Sequence, residues 1–151
     1  MFMDLVRLAD QRETERLGLA IAGRLGVGDT VCLFGPLGAG KSTLARALIR
    51  ALTDPDEEVP SPTFTLVQTY TSAAFDIGHF DLYRLSSSDE VAELGLDEAL
   101  ESGAAVIEWP ERLGDGLPAD RLEIHLGPGE SEGARIARLQ GFGAWIGRDR
   151  F

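Results

Sequence analysis

The chain is poor in the residues that most often announce a function. It has one cysteine, one lysine and two histidines in 151 residues. A lone cysteine excludes a disulfide within the chain, and its setting in the apolar run VCLF marks Cys32 as a small buried hydrophobe rather than a catalytic thiol. There is no internal repeat and no His/Cys cluster at metal-ligand spacing. No apolar run is long enough to cross a bilayer, and the opening MFMDLVRLADQRE has neither a basic leader nor a small-residue cleavage site. A cytoplasmic protein without membrane contact is therefore expected, as one domain spanning residues 1–151. Positive charge is also scarce: 14 basic against 25 acidic residues leave a net charge of −11. Such a surface repels polyanions, so direct tight binding of naked nucleic acid is disfavoured. Any polyanionic ligand would have to depend on local groups for its compensating charge.

What is present is concentrated in one stretch. Residues 35–42 read GPLGAGKS, the GxxxxGK[ST] pattern of a phosphate-binding loop. Phosphate oxygens are held where backbone N–H groups converge, which needs a backbone free to turn; Gly35, Gly38 and Gly40 supply that freedom. Lys41 adds a point charge for the terminal phosphates and Ser42 a hydroxyl for Mg²⁺. The helix that starts there adds the partial positive charge of its N-terminus. The only lysine of the chain stands inside this loop. A chain without a second lysine cannot carry the Asn-Lys-x-Asp guanine reader, which points to adenine.

The surrounding pattern predicts an α/β chain. Phe2–Leu8 reads as a first strand. Asp10 with Glu13 makes a capping-box pattern, and Leu17, Ala20, Ile21 and Leu25 then share a helical face that stops at Gly26. Val31–Phe34 is a wholly apolar strand feeding into the loop, and Leu44, Leu48, Ala51 and Leu52 line one face of the helix beyond it. Asp54–Glu58 reads as a solvated acidic connection. Ser61–Tyr70 reads as a strand paired with a second strand over Phe75–Leu85. A further capping-box pattern, Ser87 with Glu90, opens a helix carrying Val91 and Leu94; Gly95 breaks it and Leu96–Leu100 resumes. Ala104–Ile107 is a second apolar strand, ending in Glu108 and followed by Trp109. Arg121–Leu126 and Ala134–Gln140 read as an antiparallel pair, and Trp145 as packing.

Some residues have two readings on the sequence alone. Glu108 stands where folds of this kind hold Mg²⁺, at the end of a buried strand, but a solvated glutamate fits there too. Thr63 is either a γ-phosphate sensor or a plain strand residue. Alternation puts His79 with Ile77 and Asp81, and it reads as structural. Arg135 could be an exposed charge on an edge strand.

GPLGAGKST, SPTFTLV, HFDLYRL and IEWPERL occur in that order, and with these motifs the chain resembles the TsaE (YjeE) family, the ATPase component of bacterial tRNA threonylcarbamoyladenosine synthesis. The resemblance covers nearly the whole chain. It departs at Ser42, where threonine is usual, although both residues present a hydroxyl. It implies a three-layer P-loop NTPase fold with a mostly parallel central sheet and added antiparallel strands. It also implies that Gly35, Pro36, Leu37, Gly38, Ala39, Gly40, Lys41, Ser42 and Thr43 bind ATP, with Trp109 beside the site and Thr14 near adenine. Ser42 and Glu108 would hold Mg²⁺, and Lys41, Asp81 and Glu108 would serve catalysis. Arg135 lies where the family has arginine. The implied partners are TsaD and TsaB, with tRNA reached only through them. Two other classes share the loop: a small P-loop kinase, and a nucleotide-dependent binding subunit with negligible hydrolysis.

Overall fold

A computed structural model describes residues 4–151, the side chains of Ser88 and Val91 excepted. Seven strands form one sheet in the order β1-β7-β6-β2-β5-β4-β3. These are β1 (Asp4–Leu8), β2 (Thr30–Phe34), β3 (Val67–Thr71), β4 (Asp76–Asp81), β5 (Gly103–Glu108), β6 (Arg121–Pro128) and β7 (Arg135–Phe142). The inner strands β6, β2, β5 and β4 run parallel. β7, β1 and β3 are added antiparallel. Of the expected first strand, Phe2 and Met3 lie outside the described residues.

Residues of β2 and β5 are buried nearly throughout, as strands covered on both faces must be. Alternation splits the core in two. Val31, Leu33, Ile77, Ala104 and Val106 pack against α1 (Gln11–Ala22) and α2 (Lys41–Leu52). Phe80, Ala105 and Ile107 turn to the opposite face, with Leu96 of α4 (Leu96–Ser102) and Leu113 of the 3-10 segment Pro110–Gly116. The result is helix, sheet, helix. Ile21, Leu44, Leu48 and Ile49 are fully buried, and each contributes about 1.5–3 kcal/mol through burial of its apolar surface. Cys32 is fully buried as well, and burial first, with Glu123 second, pushes its thiol up to about 12.

Three sequence expectations need correction. Helix α1 stops at Ala22 with Gly23 as its cap, not at Gly26. Arg24 N–H and Leu25 N–H donate back three residues, to Ile21 and Ala22, and this tighter turn ends the helix. Leu25 is consequently buried from beyond the helix, while Ala20 faces solvent. Secondly, Ser61–Leu66 is loop, and only Val67–Thr71 joins the sheet. Pro60 and Pro62 have no N–H for a ladder, and Leu66 adopts φ 68° with its N–H on the Pro62 carbonyl. Strand β4 is likewise shorter than expected, because the Tyr83 N–H turns onto the Asp81 carboxylate at 3.0 Å. Thirdly, the Ser87/Glu90 box does not close. The Glu90 carboxylate accepts from Ser86 Oγ, and the segment runs as a 3-10 turn (Ser88–Glu90) into the short α3 (Val91–Leu94). Gly95, at φ 80°, separates α3 from α4 as expected. The side chain of Val91 lies outside the described set.

Helix α1 meets α2 at Gly18. A Cβ there would stand 2.9 Å from the Leu44 carbonyl oxygen and 3.0 Å from Ala47 Cβ. In an open helix Gly→Ala gains about 1 kcal/mol. Here overpacking, at about 1–3 kcal/mol, outweighs that gain. Gly18→Ala is expected to lower the unfolding midpoint in urea; a rise would contradict the close approach of the two helices.

Candidate functional site

The expected site residues other than Thr14, Gly35 and Pro36 line a cleft of about 350 Å³ at the C-terminal ends of the parallel strands. Its wall includes Leu37 to Thr43 of the glycine loop, Asp81 from β4, and Glu108 and Trp109 from the end of β5. A second cavity, of about 650 Å³, lies between α4 and Pro110–Gly116. It is lined by Asp97, Glu98, Glu111 and Asp115 against a single arginine, Arg112, which is the wrong sign for a polyphosphate. It contains none of the expected site residues.

The loop has the backbone its glycines imply. Gly35, Gly38 and Gly40 have φ of 147°, 78° and 100°. At Gly35 a Cβ would come within 2.7 Å of the Leu126 carbonyl oxygen, so the loop is seated against β6. Arg135 braces it from β7, donating from Nε to the Ala39 carbonyl (3.0 Å) and from Nη2 to that of Gly38 (2.9 Å). The edge-strand reading of Arg135 falls, because β7 lies between β1 and β6. Thr14 of α1 is buried, with Cγ2 3.9 Å from where a Gly40 Cβ would be, and does not line the cleft.

Lys41 is only 5% exposed. Its Nζ donates to the Gly35 carbonyl and, at 3.2 Å, to that of Pro36. It also stands 3.8 Å from the centroid of the Trp109 ring. Burial lowers its pKa, while Glu108, Glu111 and Asp81 pull the other way. The lysine is thus satisfied by its own loop. Trp109 reaches it from a left-handed backbone, φ 59° and ψ 49°, a conformation that costs a non-glycine residue about 1–3 kcal/mol. Tyr83 also packs against the indole, tilted by 45° with ring centroids 4.9 Å apart.

Two buried carboxylates complete the arrangement. Strands β4 and β5 place Asp81 directly opposite Glu108. Glu108 accepts from Ser42 Oγ at Oε1 (3.1 Å) and from His79 Nε2 at Oε2 (2.7 Å). Asp81 accepts at Oδ2 from Ser61 Oγ (3.2 Å) and Thr63 Oγ1 (3.0 Å). Thr63 therefore belongs to a loop docked on Asp81 rather than to a strand. Ser61 was not singled out from the sequence; a hydroxyl between two prolines was the available signal. Among the described residues no group of three or more His, Cys, Asp or Glu side chains is arranged to hold a metal. Nor is any helix among them long and apolar enough to cross a membrane.

This sheet order, with the glycine loop joining β2 to α2, defines an α/β domain with the P-loop fold. The crystal structure of YdiB from Bacillus subtilis superposes with a TM-score of 0.78 at 24% identity, covering 98% of this chain and 93% of that one. The family model of the threonylcarbamoyl adenosine biosynthesis protein TsaE matches residues 8–137. Proteins named tRNA threonylcarbamoyladenosine biosynthesis protein TsaE are similar in sequence. That of Rickettsia felis is 40% identical over 119 residues (79% of this chain, 70% of the relative). That of Nostoc is 38% identical over 149 residues (95% and 90%). The chain belongs to the TsaE family.

The hydroxyl contacts of Asp81 hold the 61–66 loop on the sheet. Asp81→Ala is expected to raise amide hydrogen exchange across residues 61–66 and leave α2 protected. Unchanged exchange in that loop would count against its docking on Asp81.

Proposed function

We propose that the protein binds and hydrolyses ATP with Mg²⁺, as the ATPase component of tRNA threonylcarbamoyladenosine biosynthesis, together with TsaD and TsaB. The observation that carries this reading is the meeting of Ser42 Oγ with Glu108 Oε1 at the start of α2, beside a glycine loop that holds the only lysine. A hydroxyl and a carboxylate are hard oxygen donors, and Mg²⁺ is ordinarily held by one or two such side chains plus substrate phosphates rather than by a full protein cage. The donor set fits that cation. Bound there, it would neutralise charge on the β- and γ-phosphate oxygens.

The chain's own groups do the rest. The first amides of α2 have no intrahelical partners and are free for phosphate oxygens. Lys41 exchanges the neutral carbonyls of Gly35 and Pro36 for charged phosphate oxygens, which are the stronger acceptors. Arg135 keeps the loop in shape while this happens. Asp81 positions the attacking water in line with the γ-phosphate, with Thr63 and Ser61 beside it on a loop that can respond to that phosphate. No covalent intermediate is required. The names of the relatives support the pathway, and the acidic surface supports leaving tRNA contact to partners.

Phosphate release measured with and without TsaB and TsaD tests the reading. Lys41→Ala and Glu108→Ala are each expected to lower turnover by about 100-fold or more with the fold intact; wild-type turnover in either variant would falsify the site. Asp81→Ala is expected to lose kcat more than nucleotide affinity. Co-purification with TsaB and TsaD is expected in ATP or ADP, and failure in both would remove the assigned pathway. Transfer of phosphate to a small acceptor would instead point to a kinase.

A further inference from the structure

The imidazole of His79 makes one hydrogen bond among the described residues, and it goes to Glu108. The ring is 1% exposed, and its Nε2–H donates to Glu108 Oε2 at 2.7 Å, while Nδ1 is buried without a partner. Histidine in a core for shape alone is an expensive choice, since an apolar residue would fill the space with no polar atom left over. Here the polar atom that is satisfied is the one facing the carboxylate. Strand register explains how it gets there. His79 pairs with Val106, two residues before Glu108 and on the same face of the sheet, so the ring reaches the carboxylate from the neighbouring strand.

A glutamate carboxylate rotates freely about its last bond unless both oxygens are engaged. With Oε2 held by His79, Oε1 is directed to the start of α2, where Ser42 Oγ meets it at 3.1 Å. We propose that His79 is a positioning residue, which orients Glu108 so that Oε1 and the Ser42 hydroxyl together receive the divalent cation of the nucleotide. The inference rests on the proposed ATP and Mg²⁺ reading, and goes beyond it by assigning cation affinity to a side chain that touches neither cation nor phosphate. Partners that orient a ligating carboxylate in this way change metal affinity by about 10- to 100-fold when removed. Nucleotide binding in the absence of the cation does not use Glu108 and is independent of His79.

Calorimetric titration of ADP in magnesium chloride, and again in EDTA, separates these terms without measuring turnover. The wild-type chain is expected to bind ADP more tightly with magnesium. His79→Ala is expected to lose about 10-fold or more of that gain, with its affinity in EDTA unchanged. His79→Gln, whose amide can donate from a comparable reach, is expected to recover most of it. Should the alanine variant not fold, His79→Leu fills the space without a donor and carries the same expectation. A magnesium gain retained in full by the alanine or leucine variant overturns the positioning role alone. So does an equal loss of affinity in both buffers, which marks a merely structural residue, or failure of His79→Gln to recover. A wild-type chain with the same affinity in both buffers overturns the cation reading itself, and this inference with it.

Discussion

A carboxylate removed from water has to find hydrogen-bond donors for both oxygens, and the arrangement of Glu108 follows from that requirement. At 2% exposure it takes one donor from α2 and one from β4, so a single side chain ties the helix after the glycine loop to two strands of the sheet. The connection is made at the C-terminal ends of parallel strands, where open α/β sheets bind ligands. It depends on register. A slip of one residue between β4 and β5 would turn either Glu108 or His79 to the opposite face, into the cluster of Phe80, Ala105 and Ile107.

The electrostatics are economical in the same place. Over a chain of net charge −11, the loop ammonium is buried where Glu108, Glu111 and Asp81 each favour its charged form. The charged side chains lining the cleft are Lys41 and Arg135 against Asp81 and Glu108, which cancel formally and leave no surplus of positive charge for a polyphosphate. Oxygen donors are present at Ser42 and Glu108, while the cleft itself supplies no excess positive charge. Arg135 keeps its charge beside the cleft while its guanidinium donates to the carbonyls of Gly38, Ala39 and Ala134. It maintains the loop's shape.

Much of this was legible in the sequence where local and tertiary preferences agree. The apolar runs over Val31–Phe34 and Ala104–Ile107 are central parallel strands, and the alternation in Arg121–Leu126 gives an antiparallel partner of β7. The loop motif put the start of a helix at Lys41, where α2 begins, since a glycine pattern constrains backbone conformation directly. SPTF was misread because Thr and Phe favour strands by composition, whereas the prolines and the hydroxyl bonds to Asp81 decide the conformation. Phe64, 81% exposed with the Arg84 guanidinium 4.4 Å from its ring, shows how far that segment is from a packed strand. His79 was placed on the correct face by alternation, yet its contact with Glu108 depends on which strand lies next to β4, and period-2 reasoning within one strand does not supply that.

The same register that unites the carboxylates also divides their duties. Asp81 and Glu108 face each other across one inter-strand spacing of about 4.8 Å, but they are bonded in different directions. Glu108 is bonded to α2 and β4, inside the rigid body of the domain. Asp81 is bonded to hydroxyls on a loop outside the strands, which is tied to β4 by backbone at its last residue, where the Asp81 N–H donates to the Leu66 carbonyl (2.9 Å). Hydroxyl-to-carboxylate bonds at the cleft wall compete directly with water and with any incoming oxygen, whereas the buried bond to His79 does not. A ligand entering the cleft thus meets one carboxylate whose orientation is already settled and one whose partners it can displace.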